Sequence, residues 1–467
     1  MVFRIGRLGP RKLLVLTSAG FLFVTFIFLL TPIISPLPPY TGPYEVGILD
    51  IETPVEKRVI HDAILKATGD KAFELDTLAI TLYYPSSLPR APPSQRPWAR
   101  PWLPQPVGLI GEGYARLAGV PRLSSVFTSA LWLFGSSTVI PGVVDAPILS
   151  SAQYLDALPC MVFTHGMAGM SQSYAHYLGS IASHGYVVAA VEHRDGSGPG
   201  TIIHHPDGKE EKVWHMKLED LEANPPMTEL DLKAAQLNYR EAEISETIKL
   251  FAKLNAGEAP VVNLKPDSPR NALPGFKNRL NLSAVTVGGH SYGATGAMQA
   301  LKSAGTKAMP INGGIALDPG KGSGPLNKDI DVPLLVMQSG EWTEQQTHFY
   351  DQGWHFNVVK NIVDSVKQGW FMTLSGTAHP SCTDAPLIVP LIMKLVSGTT
   401  LDSRTALHEY IDASVAFLEY LRTGKKAGVL ESAVTNAKGP FLEDATRETV
   451  KGPHGAKWEV HVVPDEE

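Results

Sequence analysis

One stretch constrains this chain more than any other: Ala284-Val285-Thr286-Val287-Gly288-Gly289-His290-Ser291-Tyr292-Gly293-Ala294-Thr295-Gly296. It reads as a β-branched strand, a tight glycine turn with one serine at its apex, and small residues opening a helix through Ala297, Met298, Gln299, Ala300 and Leu301. Gly289 and Gly293 let strand and helix pass closely while the serine between them takes a strained conformation that lifts it clear of the sheet. In a chain with 42 glycines a G-x-S-x-G pentapeptide is a weak signal by itself. The strand before it and the helix after it supply the context that the motif requires.

The length of 467 residues, with 44% hydrophobic and 18% charged residues, describes a globular protein with ample core. The net charge of -6 is dispersed, and no basic stripe with interleaved aromatics is present, which argues against nucleic-acid binding. Cys160 and Cys382 are the two cysteines; they make neither a disulfide framework nor a zinc site, and whether they pair is open.

Three regions follow from the pattern along the chain. Residues 1–41 read as a membrane anchor and a proline-rich spacer: Arg4, Arg7, Arg11 and Lys12 precede an uncharged run over residues 13–34, and about twenty such residues cross a bilayer. No small-residue cleavage site follows. The positive-inside rule then leaves everything after Pro32 lumenal or extracellular, or secreted if the segment is removed. Residues 42–423 form the catalytic domain, and 424–467 a polar tail expected to be peripheral. The sequon Asn281-Leu282-Ser283 just precedes the central strand.

Within the domain, residues 78–85 alternate as a strand, with 46–55 as the hairpin partner, and the proline-rich segment 85–106 reads as a surface loop. Residues 109–119 and Ser124–Gly135 have helical length; the second is apolar almost all round, as in a core or lid helix or a membrane-contacting surface. From Pro159 onward, short apolar strands alternate with helices: 159–167, 185–195, the strand before Ser291, 311–318, 332–338 and 368–374. Residues 196–228 are irregular, 229–254 form a long amphipathic helix that packs on the sheet through Leu230, Leu232, Leu237, Ile244, Ile248, Leu250 and Phe251, and a last helix spans about 403–422. The class is α/β, a mostly parallel central sheet with helices on both faces. With the serine turn, this is the α/β-hydrolase fold, whose order along the chain is Ser, acid, His.

A serine hydroxyl needs a base within reach and a carboxylate to orient that base. His379 follows the last strong strand in a Gly-Thr-Ala-His turn, which should bring it to the carboxyl edge of the sheet. Asp318 and Glu341 each end a strand after the serine turn, and spacing does not choose between them. The oxyanion donors expected are the backbone N–H groups of Tyr292 and Met167, with His165 shaping the loop. Glu192-His193-Arg194-Asp195 reads as an ion-pair network bracing the site.

Phe163-Thr164-His165-Gly166-Met167, the block from Ala182 to Asp195 (Ser183-His184-Gly185-Tyr186 through Glu192-His193-Arg194-Asp195), Gly289-His290-Ser291-Tyr292-Gly293, Gly314-Ile315-Ala316-Leu317-Asp318 and Gly376-Thr377-Ala378-His379 together resemble the plasma and type II platelet-activating factor acetylhydrolases. That resemblance implies a calcium-independent serine esterase, with no cofactor or metal, that removes short or oxidised acyl chains from the sn-2 position of phospholipids. It also implies Asp318 as the acid, giving the triad Ser291, Asp318 and His379 with oxyanion donors at Met167 and Tyr292. The chain departs from the family pattern at Ala294, where another glycine is usual, at Tyr292, where phenylalanine is common, and in its N-terminal anchor. The competing expectations are a broader carboxylesterase or lipase and, in another class, a catalytically silent binding protein.

Overall fold

Two long strands begin the sheet. In the computed structural model, which describes residues 34–90, 100–154, 156–205, 207–258, 271–441 and 457–465, β1 (Glu45–Leu65) and β2 (Lys71–Ser86) pair antiparallel, with Leu49 opposite Leu82 and Ile51 opposite Ile80. The hairpin expected from 46–55 and 78–85 lies inside this longer one. The anchor expected over residues 13–34 falls, except for Ile34, outside the described residues. Among those described, no helix is long and apolar enough to cross a membrane.

Next come β3 (Arg100–Pro101), α1 (Val107–Leu117), α2 (Ser124–Gly135), β4 (Val139–Ile140) and β5 (Val143–Val144). Regular alternation follows with β6 (Leu158–Thr164), α3 (Ala175–Ser183) and β7 (Val187–Val191). The excursion expected to be irregular carries a hairpin, β8 (Gly200–His204) with β9 (Glu210–Trp214), and the short β10 (Leu221–Glu222). The long helix α4 (Glu229–Ala256) leads to β11 (Leu280–His290), α5 (Tyr292–Ala300), β12 (Ile311–Leu317), β13 (Leu334–Ser339), α6 (Gly340–Glu344) and α7 (His355–Ser365). The chain ends with β14 (Gly369–Leu374), α8 (Ala385–Ile388), α9 (Pro390–Ser397), α10 (Ser403–Thr423) and β15 (Trp458–Val462).

The sheet order is β10-β1-β2-β7-β6-β11-β12-β13-β14-β15, parallel from β7 to β14 and antiparallel at both ends. All of β7 is buried, and its side chains alternate between two cores: Val187, Ala189 and Val191 face one with Ile244, Phe251 and Met298, whereas Val188 and Ala190 face the other with Ile181, Ile411 and Phe417. Helices α4, α5 and α7 therefore cover one face, and α3 and α10 the other, which is why the parallel strands are apolar on both sides. Helix α4 starts on a capping box, in which Thr228 Oγ1 accepts from the Asp231 N–H while an Asp231 carboxylate oxygen accepts from the Thr228 N–H, and it ends on Gly257 at φ 77°.

Three expectations need correction. The segment taken as a peripheral tail supplies β15, which closes the sheet antiparallel to β14 and buries Trp458, Val460 and Val462. Helix α2 is not a core helix: Gly135 alone is buried, and Trp132 is 63% exposed. Leu230, expected on the packed face of α4, is half exposed. Cys160 and Cys382 are both buried and unpaired.

Candidate active site

At the junction of β11 and α5 the backbone of Ser291 takes φ 57° and ψ -120°. A methyl on Gly289 would lie 2.3 Å from the Gly293 carbonyl oxygen, and one on Gly293 would lie 2.0 Å from that of Thr164. Neither position accepts a side chain, so the motif's glycines are required by contact. The Thr164 hydroxyl donates to the Gly293 carbonyl at 2.6 Å, tying the turn to the end of β6, and the Ser291 N–H donates to Leu317 at the end of β12.

Asp318 follows directly after β12 and His379 lies in the turn after β14. His379 Nδ1 and Asp318 Oδ2 are 2.9 Å apart, with the carboxylate 4% and the imidazole 27% exposed. Asp318 also accepts from the Ser339 N–H at 2.6 Å and its hydroxyl at 2.8 Å, so its two oxygens are occupied by fixed donors. Glu341, the other carboxylate in contention, accepts from the His379 backbone N–H at 2.9 Å. It holds the turn, and Asp318 holds the ring. The His379 ring lies 4.4 Å from that of His290, the neighbour of Ser291, and stacks on Trp342 at 3.9 Å and 11°.

Residues His165, Gly166 and Met167 follow β6 and approach the elbow: a methyl on Gly166 would stand 3.0 Å from the Ser291 Cβ. Among the described residues, neither Met167 N–H nor Tyr292 N–H has a recorded protein acceptor, whereas the next amide, that of Ala168, donates to Ser197 at 2.8 Å. The Tyr292 side chain points away from the site; its hydroxyl donates to Gln236 at 2.8 Å, and the Arg240 guanidinium lies over its ring.

Behind the turn is a buried charge network. Arg240 of α4 donates to Asp195 at 2.7 Å, to the His165 carbonyl at 2.6 Å and to the Ser197 hydroxyl at 2.6 Å. Burial alone would raise the Asp195 pKa, but Arg240 and Ser197 outweigh it and hold it below the ordinary value. His193 pairs with Glu243 at 2.5 Å with both side chains inaccessible. Burial pushes the pKa of Glu243 well up and that of His193 well down, each disfavouring its charged form. Arg194 reaches Glu52 and Thr77, and Glu192 accepts from the Ser171 N–H and hydroxyl. Burial and the nearby Arg240 lower His165 to about 3, which leaves it uncharged. Its Nδ1–H points at Gly166 O, and its Nε2 accepts from the His193 N–H, so it shapes the loop.

The block from Glu192 to Asp195 thus braces the turn that carries Met167, as its sequence suggested. The apolar periodicity of α4 does not by itself point to Arg240 and Glu243 as members of this network. A signal was present: Arg240 falls on the same stripe as Leu237, Ile244, Ile248 and Phe251, where a charge has to be paired. Among the described residues, His290, Asp318 and His379 form one cluster whose ligand atoms lie within 4.8 Å of one another.

The fold is shared with a ferulic acid esterase from Streptomyces cinnamoneus, at a TM-score of 0.53 and 16% identity over 85% of this chain and 96% of that one. Platelet-activating factor acetylhydrolases from Cavia porcellus and Canis lupus familiaris are 25% and 26% identical to it, each alignment covering 82% of this chain and 77% of the relative. A putative phospholipase A2 from Schizosaccharomyces pombe is 28% identical over 55% of this chain and 57% of its own length. The family model described as platelet-activating factor acetylhydrolase, isoform II, matches residues 34–433, and this chain belongs to that family.

Proposed function

We propose that this protein is a serine esterase that hydrolyses the sn-2 acetyl, or another short or oxidised acyl, ester of glycerophospholipids. The observation that carries this reading is the Asp318–His379 hydrogen bond of 2.9 Å beside a serine held at φ 57° in a chain of this family. Ser291 Oγ attacks the ester carbonyl as His379 Nε2 takes its proton, with Asp318 fixing the tautomer that puts the other proton on Nδ1. The oxyanion is met by the amides of Met167 and Tyr292. The proton passes to the departing lysophospholipid oxygen, leaving an acyl-serine. Water, deprotonated by the same imidazole, then releases the carboxylic acid and restores Ser291.

The reading includes a membrane. Residues 13–34 are uncharged and follow four basic residues, which supports a single-pass anchor with the catalytic domain lumenal or extracellular, or a secreted domain if the anchor is cleaved. The first described residues leave that segment beside α8, where the Ser35 N–H donates to Ile388 at 2.8 Å. Helix α9 begins two residues later and exposes Leu395 and Val396 by 76% and 78%. A bilayer entered at Ile34 would meet that apolar surface, and α2 offers Val126, Trp132 and Leu133 in the same manner.

The test is acyl-chain profiling. Phosphatidylcholines carrying sn-2 acetyl, butyroyl and long acyl chains should be hydrolysed with kcat/KM falling as the chain lengthens, and a serine-reactive phosphonate should label the wild type but not Ser291→Ala. Equal rates on long chains would make the protein a broader lipase. No labelling of the wild type would leave it a binding protein.

A further inference from the structure

We propose that Trp342 is a positioning residue for the base, its indole holding the His379 imidazole in the orientation that keeps Nδ1 on Asp318 while Nε2 stays available to Ser291. This rests on the triad reading above. The two rings stack at 3.9 Å and 11°, which is parallel contact over the ring face. His379 is 27% exposed, and its side chain has one recorded hydrogen bond among the described residues, that to Asp318. One bond at Nδ1 leaves the ring able to rotate about that contact and to swing towards water. A flat surface against its face removes that freedom, and the His290 ring at 4.4 Å limits it further.

A clamp works only if it is itself fixed. Trp342 Nε1–H donates to Pro319 O at 2.9 Å, and its backbone N–H donates to the Ser339 hydroxyl at 3.3 Å. Its carbonyl accepts from Lys321 Nζ at 2.7 Å, and the same ammonium lies 4.5 Å from the indole centroid. Pro319 is the neighbour of Asp318, and Ser339 is the residue that binds its carboxylate. Indole, acid and base are therefore referenced to the same few atoms. The charged and titratable groups around the imidazole are Asp318 at Nδ1, Glu341 at its backbone N–H, His290 beside it and Lys321 at the indole. The indole also presents its electron-rich face to a ring that becomes cationic each time it takes the serine proton.

The experiment compares Trp342→Ala, Trp342→Leu and Trp342→Phe in the full-length protein on a short-chain ester, with Ser291→Ala as reference. Leucine keeps apolar volume without a ring face, and phenylalanine restores the face. Trp342→Ala and Trp342→Leu should lower kcat about tenfold with KM within about twofold, and Trp342→Phe should recover most of the loss. Thermal unfolding reads whether each variant is folded; the leucine variant carries the comparison if the alanine variant is not. A kcat within about twofold of wild type in both non-aromatic variants, or a loss confined to KM, overturns the positioning role while an inactive Ser291→Ala keeps the triad. An active Ser291→Ala overturns the triad reading itself.

Discussion

Two carboxylates reach the His379 turn, and the difference between them is one of atoms. Asp318 meets the ring at Nδ1, and Glu341 meets the main chain at N–H. Asp318→Asn would set an amide against Nδ1 or against the two Ser339 donors, favouring the wrong tautomer, and should lower kcat by about 10^3 to 10^4-fold. Glu341→Gln keeps a carbonyl oxygen for the His379 N–H and should cost less than about tenfold. Steady-state kcat on a soluble short-chain ester decides between them, and the reverse ranking would refute the assignment. Both acids were visible in the sequence as strand-end residues. Choosing between them from spacing was not possible, because the hydrogen bond to Nδ1 depends on how the turns after β12, β13 and β14 converge in space. The Trp342 stack was hidden for the same reason: its 37-residue separation from His379 carries no local periodicity.

At the level of elements, the parallel strands and their helices were legible because burial on both faces leaves continuous apolar runs. β15 was not: it is five residues long, alternates Glu459 with buried Val460, and lies at the far edge of the sheet, where pairing with β14 decides its state. Nor did the sequence point to Asp384, which joins elements distant in the chain. Its carboxylate accepts from the His176 N–H at the start of α3 at 3.0 Å and from Trp102 Nε1–H at 2.9 Å, and it stands at the N-terminus of α8. Burial raises it to about 7 from an ordinary 3.8, with those donors opposing the rise. A carboxyl whose pKa is higher folded than unfolded contributes its stability in full below about pH 3.8, and that contribution is lost as pH rises through about 7. The difference is about 4 kcal/mol between the two limits. Asp384→Asn keeps an acceptor for His176 and removes the titration. Guanidinium unfolding at pH 5 and pH 8 should therefore show the wild type losing more stability between the two pH values than the variant does. Equal losses would mean that Asp384 does not titrate in the folded protein near neutrality.

For the molecule as a whole, the sequence alone leaves α2 as a core or lid helix or a membrane contact, since an apolar helix looks alike in all three settings until its neighbours are known. Its neighbours here are few. α1 packs closely on one side, where a methyl on Gly111 would overlap Thr128, and Gly135 meets Trp102, whose indole reaches Asp384 ahead of α8. Val126, Trp132 and Leu133 remain 58–63% exposed. Tyr114 of α1 donates to the carbonyl of Ala168, next to Met167, so the exposed helix stands one element from the proposed oxyanion turn. The second apolar surface, α9, follows the His379 turn in the chain and begins two residues after Ile388, whose carbonyl accepts from the Ser35 N–H. Two partly exposed apolar side chains entering a bilayer contribute on the order of 2 kcal/mol, equivalent to about 30-fold in partitioning. In a chain beginning at Ile34, Trp132→Ser with Leu133→Ser, and separately Leu395→Ser with Val396→Ser, should each weaken binding to phosphatidylcholine vesicles by about that factor. Hydrolysis of a water-soluble acetyl ester should stay within about twofold of wild type, because neither pair touches Ser291, Asp318 or His379. Vesicle binding unchanged in both double variants would show that these faces do not meet lipid, and the orientation inferred from the Ser35–Ile388 hydrogen bond would fall with it.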